Sequence, residues 1–279
     1  MELNELLSLF DQHPGVLRLR ECLSAHCPHV RMEGLRGSAP AVALGAVGQS
    51  AGEVFLVVAD DEEEAAYFYN DLRQLLGERD VLFLPSSYRR AVKYGHRDTA
   101  SEILRTDVLS RLSAEGAAVS EQALFIVTFP TALAERVPPR RSLTERSITL
   151  KMGETHDVIE LTRRLEELGF KRKDYVYEPG EYALRGSILD FFGDEVESVN
   201  SFEVQTQLSR AVVAEAVIVP NVEVEEKGEL LVPFTDYLPE RPILVAHDLR
   251  FVCDRVQQIF DEGFAEQALA EQAATSEME

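Results

Sequence analysis

The stretch Gly34-Leu35-Arg36-Gly37-Ser38-Ala39-Pro40 sets two glycines and a serine just ahead of a helical run, where backbone amides are able to cradle a phosphate. A working loop of this kind also needs a Lys for the β- and γ-phosphates and a Ser or Thr hydroxyl for magnesium. No Lys occurs in residues 38–45, and Pro40 removes an amide donor where the cradle needs one. The second nucleotide element is a strand that ends in adjacent carboxylates. The matching place, after Ile243-Leu244-Val245-Ala246, reads His247-Asp248-Leu249 and has a single carboxylate. Gly34, Gly37 and Ser38 are therefore expected to form a degenerate nucleotide loop that holds no cofactor. A domain that was never an ATPase predicts the same inactivity, so both readings stay open at this point.

Other chemistry-bearing residues are weaker candidates. Cys22, His26, Cys27 and His29 lie close enough for a metal clip, but the spacing matches no standard finger and Pro28 interrupts it. A helix end and a loop is the plainer reading. The three cysteines, Cys22, Cys27 and Cys253, are an odd number, which argues against a disulfide framework and suits a reducing compartment. No nucleophile elbow is present, and His96, between Gly95 and Arg97, reads as a surface loop residue. No catalytic residue and no metal site are expected.

Residues 180–192, GEYALRGSILDFF, read as one strand with Tyr182, Leu184, Gly186, Ile188 and Asp190 on one side. Ala183, Arg185, Ser187, Leu189 and Phe191 then share the other. An Arg among apolar strand neighbours is either paired within the domain, to Glu178, Glu181 or Asp174, or displayed to a partner carboxylate, which its planar fork suits. Lys171-Arg172-Lys173 either enlarges the same patch or forms a solvated turn.

The elements that must position these residues alternate in the first half of the chain. Val54–Val58, Val81–Leu84 and Leu124–Thr128 read as buried strands. Between them, Asp61–Leu76 reads as a helix with Ala65, Phe68, Leu72 and Leu75 on one face, and Ser101–Leu112 as another. This βαβαβ order predicts an α/β domain with a parallel sheet. Val137-Pro138-Pro139-Arg140-Arg141 breaks the pattern and marks a boundary. A helix then carries Val158, Leu161, Leu165 and Leu168, with Thr155 as its expected N-cap and Gly169 as its stop. Strand-like runs follow at Tyr175–Tyr177, Tyr182–Phe192, Glu195–Val204 and Ala211–Val219, which predicts a small α+β domain over 140–220. Residues 243–246 and the helix Leu249–Phe260 look like a return to the first domain. Residues 265–279 are helical by propensity but open-ended.

Charge narrows the partners. The net charge of −21 opposes broad contact with nucleic acid, which needs clustered Lys and Arg. Residues 1–139 hold 13 basic and 20 acidic groups, 140–190 hold 10 and 10, and 191–279 hold 5 and 19. The middle segment is a charge-neutral island in an acidic chain, the place to look for an acidic partner. With 45% hydrophobic residues the chain is able to bury a full core. No apolar run approaches the roughly 18–20 residues of a membrane span, so no membrane contact and a cytoplasmic location are expected.

GEYALRGSILD, FFGDEVES and SFEVQTQ together resemble the signature of the UvrB-homology module of bacterial transcription-repair coupling factors (Mfd). PSSYRRAVKYGHRD and ASEILRTDVLSRL fit that module's first domain. The similarity runs through essentially the whole chain. It implies a degenerate P-loop, RecA-like parallel-sheet domain interrupted by a small α+β domain, in the order 1a (1–139), 2 (140–220) and 1b (221–279). It further implies a non-catalytic adaptor whose domain 2 recruits UvrA of nucleotide excision repair. Arg185 falls at the family's Arg-Gly position, Lys171 and Arg172 near a second basic position, and Phe191 beside them. Most members carry a hairpin between the ILD strand and FFGDEV, where this chain runs directly on. The resemblance places RNA polymerase binding, DNA contact and ATP-driven translocation in other domains of the full-length protein. The alternatives are a residual nucleotide-binding domain and an autoinhibitory clamp on the rest of the protein.

Overall fold

The computed structural model describes residues 3–48, 53–77, 80–87, 99–113, 123–151, 157–168, 170–177, 181–185, 188–192, 200–203, 208–212, 215–218 and 231–264. Thr155, Gly169, Gly186, Ser187, His96 with most of PSSYRRAVKYGHRD, residues 193–199 and residues 265–279 lie outside them. The chain opens with three helices, α1 (Leu3–Asp11), α2 (Pro14–Ser24) and α3 (Ala39–Gly48). It continues as β1 (Val54–Val58), α4 (Glu62–Leu76), β2 (Val81–Leu84), α5 (Thr99–Ser113), β3 (Leu124–Thr128) and α6 (Pro130–Ala134). Next come α7 (Arg140–Arg146), β4 (Ile148–Lys151), α8 (Val158–Glu167), β5 (Lys171–Arg172), β6 (Glu181–Arg185) and β7 (Ile188–Phe192). β8 (Asn200–Glu203), β9 (Leu208–Val212), β10 (Glu215–Ile218), β11 (Ile243–Ala246) and α9 (Leu249–Ile259) complete the order.

Two compact units result, one built from 1–84, 115–135 and 238–279, the other from 85–114 and 136–237. Residues 85–114 and 221–237, assigned by sequence to 1a and 1b, thus cluster with the second unit. In the first unit four strands form a parallel sheet in the order β11-β1-β3-β2. The fold is α/β, as the alternating text predicts. Every residue of β1 and β3 is buried, the signature of central strands covered on both faces. Val54 pairs with Leu124 and Val58 with Thr128, while Phe55 to Val58 pair with Ile243 to Ala246. The late strand β11 therefore does return to the first sheet.

Helix α3 is apolar all round, and residues 41–48 are all buried. It packs against α1, α2 and α4, so it has no solvent face to mark with charge. Its last residue, Gly48, lies against the sheet. A Cβ built there would stand 2.5 Å from Phe125 Cε2 and 2.7 Å from Cζ. Phe125 has no room to yield, because its ring stacks on Phe55 with centroids 4.7 Å apart at the centre of the core.

The second unit is held by contacts between distant segments. Val137 and Val232 exchange backbone hydrogen bonds of 2.9 and 2.8 Å. Arg140 donates to the Tyr237 carbonyl at 2.7 Å and lies 5.4 Å from that ring's centroid, and the Tyr237 hydroxyl donates to the Pro138 carbonyl at 2.7 Å. In α5 the buried Arg105 donates to the Pro85 carbonyl at 2.7 Å. β10 pairs antiparallel with β4, β8 pairs with β9, and β5-β6-β7 form a three-stranded sheet.

Gly48→Ala should lower stability by about 1–3 kcal/mol, because overpacking against Phe125 exceeds the helix-propensity gain of at most about 1 kcal/mol. A urea titration should show an earlier midpoint at unchanged slope, with part of the loss recovered by adding Phe125→Leu.

Candidate partner-binding surface

The nucleotide-like elements come first, because their geometry decides what the large unit is able to do. Gly34 and Gly37 sit at φ +80° and +56°, the left-handed region where glycine is free of the Cβ penalty. The loop leads into α3, but residues 27–33 before it are irregular and residues 27–34 exposed. A phosphate loop is a strand–loop–helix unit, and its strand is not formed here. The Ala39 amide is taken by the Arg36 carbonyl at 3.2 Å, the Val42 amide by the Ser38 carbonyl at 3.0 Å, and Pro40 offers none. The first turn of α3 thus lacks the Ala39 and Pro40 donors that a phosphate cradle at a helix start would use.

The carboxylates at the carboxyl edge of the sheet are committed to helix starts. Asp248 Oδ1 accepts from the Arg250 and Phe251 amides at 2.9 and 3.1 Å, capping α9. Asp61 Oδ1 accepts from the Glu64 amide at 2.9 Å, and Glu64 reaches back to the Asp60 amide at 3.2 Å, a reciprocal cap on α4. Asp60 Oδ2 stands 3.7 Å from His247 Nδ1. Among the described residues no group of three or more His, Cys, Asp or Glu is placed to hold a metal.

In the second unit, Ile148, Leu150, Leu161, Leu165, Leu168, Phe170, Tyr182 and Ile218 form a core between α8 and the small sheets. Asp157, and not Thr155, caps α8, accepting from the Ile159 amide at 2.9 Å and the Glu160 amide at 3.3 Å. An Asp immediately before the apolar stripe is the better cap, and the stripe begins at Val158. Tyr182 is 1% exposed and donates its hydroxyl to Glu166 Oε1 at 2.6 Å. Burial first, and the Glu166 carboxylate second, push the phenol up to about 12.

The strand expected over 182–192 is a hairpin. Tyr182 pairs with Phe191, Ala183 with Asp190, Leu184 with Leu189 and Arg185 with Ile188. The reversal falls between the paired residues Arg185 and Ile188. It transfers Leu189 and Phe191 to the Tyr182–Leu184 face, where a single strand would oppose them. The run Tyr175–Tyr177, expected as a strand, is irregular: Val176 is buried while Tyr175 and Tyr177 are exposed, their rings 6.4 Å apart.

Register decides which candidate residues share a face. β5 pairs parallel with β6, setting Lys171 beside Glu181 and Arg172 beside Tyr182. Counting by two along β6, position 185 falls on the Lys171–Glu181 face, and position 191 on the Arg172–Tyr182 face. Glu181, one of the carboxylates offered to Arg185, is 3.5 Å from Lys173 Nζ and accepts from the Tyr177 amide at 3.1 Å. Arg163 is paired with Glu160 at 2.6 Å and with Glu167 on α8. Lys171 and Arg172 are both exposed, and among the described residues neither makes an ion pair. The sequence marked both cations; it did not mark the two exposed tyrosines that follow them, because tyrosine alternation there imitates a strand.

Residues 148–191, from β4 to within β7, match the UvrB interaction domain. Over 191 residues the chain is 26% identical to the transcription-repair-coupling factor of Bacillus subtilis, covering 64% of this chain and 16% of that protein. The Myxococcus xanthus coupling factor is 29% identical over 220 residues, with 70% and 17% covered. UvrABC system protein B of Idiomarina loihiensis is 25% identical over 244 residues, with 80% and 36% covered. The chain thus spans about a sixth of the coupling factors and about a third of the UvrB proteins it matches. The parallel-sheet unit and the matched segment define a UvrB-like, RecA-like α/β module of the kind found in DNA repair proteins. Within that class, its counterpart is the N-terminal UvrB-like module of Mfd, the transcription-repair-coupling factor. No helix of the described residues is long and apolar enough to cross a membrane.

The Tyr182 phenol has a raised folded value, so its contribution to stability is complete below the unfolded value near 10 and is lost as pH rises to about 12. Unfolding titrations between those limits should show a steeper loss for the natural protein than for Tyr182→Phe. At pH 11 the ultraviolet difference between folded and unfolded chains should be about one tyrosinate smaller in Tyr182→Phe than in the natural protein.

Proposed function

We propose that this chain is a non-catalytic, UvrB-like adaptor that captures UvrA through the small α+β part, domain 2 in the division 1–139, 140–220 and 221–279. The observation that supports it most directly is the coincidence of the matched interaction segment, 148–191, with a sheet edge carrying two exposed cations that make no ion pair among the described residues. Elsewhere in the same unit the basic groups Arg163 and Lys173 are matched by carboxylates. An unpaired, backbone-anchored cation loses little by facing an acidic partner, whereas one already paired would have to be exchanged. Arg185, at the end of β6 on the Lys171 face, is the central contact. Lys171 extends it on the same face, Arg172 and Phe191 are assigned to the opposite face of the same small sheet, and Tyr175 and Tyr177 add aromatic area of the kind that dominates interfaces.

The absence of catalysis is part of the same proposal. Gly34, Gly37 and Ser38 lack a Lys and a preceding strand, and Asp248 is engaged in capping α9. On this reading, contacts with RNA polymerase and DNA belong to the portions of the coupling factors that this chain does not match.

Arg185→Glu, shown by circular dichroism to be folded, should lose UvrA in a pull-down. Lys171→Glu should weaken it about tenfold or more, as expected for a charge reversal facing a carboxylate. Binding undiminished in both variants would remove these residues from the surface, and failure of the natural chain to retain UvrA would remove the partner. Calorimetry with ATP and magnesium should show no saturable heat; micromolar binding would restore the nucleotide reading.

A further inference from the structure

The end of α2 carries a chemical feature that the partner surface does not use. The amide of His26 donates to the Leu23 carbonyl and that of Cys27 to the Cys22 carbonyl, both at 2.9 Å. With Ala25 as the C-cap, these are the two bonds of a Schellman motif, in which the second residue past the cap folds back over the third residue before it. His26 occupies the left-handed position at φ +52°, the one non-glycine residue with positive φ among the described residues. Such motifs usually seal the fold-back with a contact between two apolar side chains. Here the two residues brought together are both cysteines, Cys22 half-buried and Cys27 exposed.

We propose that Cys22 and Cys27 form a reversible dithiol–disulfide pair, a redox modification site that closes across the end of α2 by exchange with a low-molecular-weight disulfide. The backbone bond of 2.9 Å draws the two residues together across the helix end, the proximity that a disulfide, with its roughly 4.4–6.8 Å Cα spacing, requires. Closure therefore needs side-chain rotation and no unwinding of the helix. Cys27 is the exposed member of the pair, and interaction with Cys27, followed by desolvation, holds the Cys22 thiol above its ordinary value. That assigns the order of events. The exposed Cys27, as thiolate, attacks one sulfur of the disulfide RSSR and expels RS⁻, leaving a mixed disulfide on Cys27. Cys22 then gives its proton to the departing base and displaces the second RS⁻ from Cys27. Overall, two protein thiols and RSSR become one protein disulfide and two RSH, with the protein oxidised and the reagent reduced. In a reducing compartment the pair stays open, and oxidation locks His26 in its left-handed conformation beside the 27–38 loop.

The test uses the whole chain carrying Cys253→Ser, treated with oxidised glutathione and read by intact mass and thiol counting. The expected product is monomeric, two hydrogen masses lighter, free of glutathione, and returned to two thiols by dithiothreitol. Cys27→Ser in the same background should leave Cys22 unreacted or as a stable glutathione adduct, and a peptide map should place the Cys22–Cys27 link directly. Stable glutathione adducts on both cysteines, a disulfide-linked dimer, or two thiols still open to iodoacetamide after prolonged oxidation would each overturn the proposal. Circular dichroism of each variant excludes unfolding as the source of reactivity.

Discussion

Everything in the larger unit depends on β1 being paired on both of its edges by strands that no local turn could deliver. Parallel neighbours require a crossover, and β1 receives β3 only after α4, β2 and the 85–122 segment, and β11 only after the whole of 129–242. The side chains enforce the pairing. Phe55, Val57, Phe125 and Val127 of β1 and β3 enter one core with α3 and α4, so a one-residue slip would turn each buried residue to the opposite face. Pairing between segments so far apart in sequence is in general slow to form. The small sheet of the second unit is more local, since β5, β6 and β7 all fall within residues 171–192.

This division of labour extends to chemistry. At the carboxyl edge of a parallel sheet, carboxylates are usually free to meet ligands or metals. Here Asp61 and Asp248 close the first turns of α4 and α9, and Asp60 faces His247. Groups that would serve a nucleotide stabilise helices instead. In the second unit, the two-residue β5 is an edge strand with exposed cations. Charged edge residues also protect such an edge from indiscriminate strand addition. In the proposed reading, the residues that capture a partner also guard that edge against aggregation.

Sequence reading recovered the four strands of the large sheet residue for residue, because each is a short, uninterrupted apolar run of four or five residues. It failed where two periodicities coincide. Residues 182–192 alternate well enough to pass for a single strand, and only the pairing of Leu184 with Leu189 reveals the reversal. Tyr175 and Tyr177 alternate with buried Val176 in the same deceptive way. Long-range polar contacts were equally hidden: the seat of Arg105 on the Pro85 carbonyl depends on how α5 is docked, and no local pattern announces it. Of the candidate site, the cations were legible as a basic run in a neutral island. Which of them share a face was not, because that is a property of register.

The reciprocal bond between Val137 and Val232 gives the segment between them the form of a loop whose two ends meet. Tyr237 reinforces that junction through Pro138 and Arg140. A polypeptide arranged in this way behaves as a cassette: entry and exit are adjacent, so it is transferable by recombination into any host that offers one pair of neighbouring chain ends. Loss, enlargement or replacement of its distal strands leaves the junction untouched. A lineage could thus trim or extend the strands between Val137 and Val232 while the junction that joins their ends stays the same.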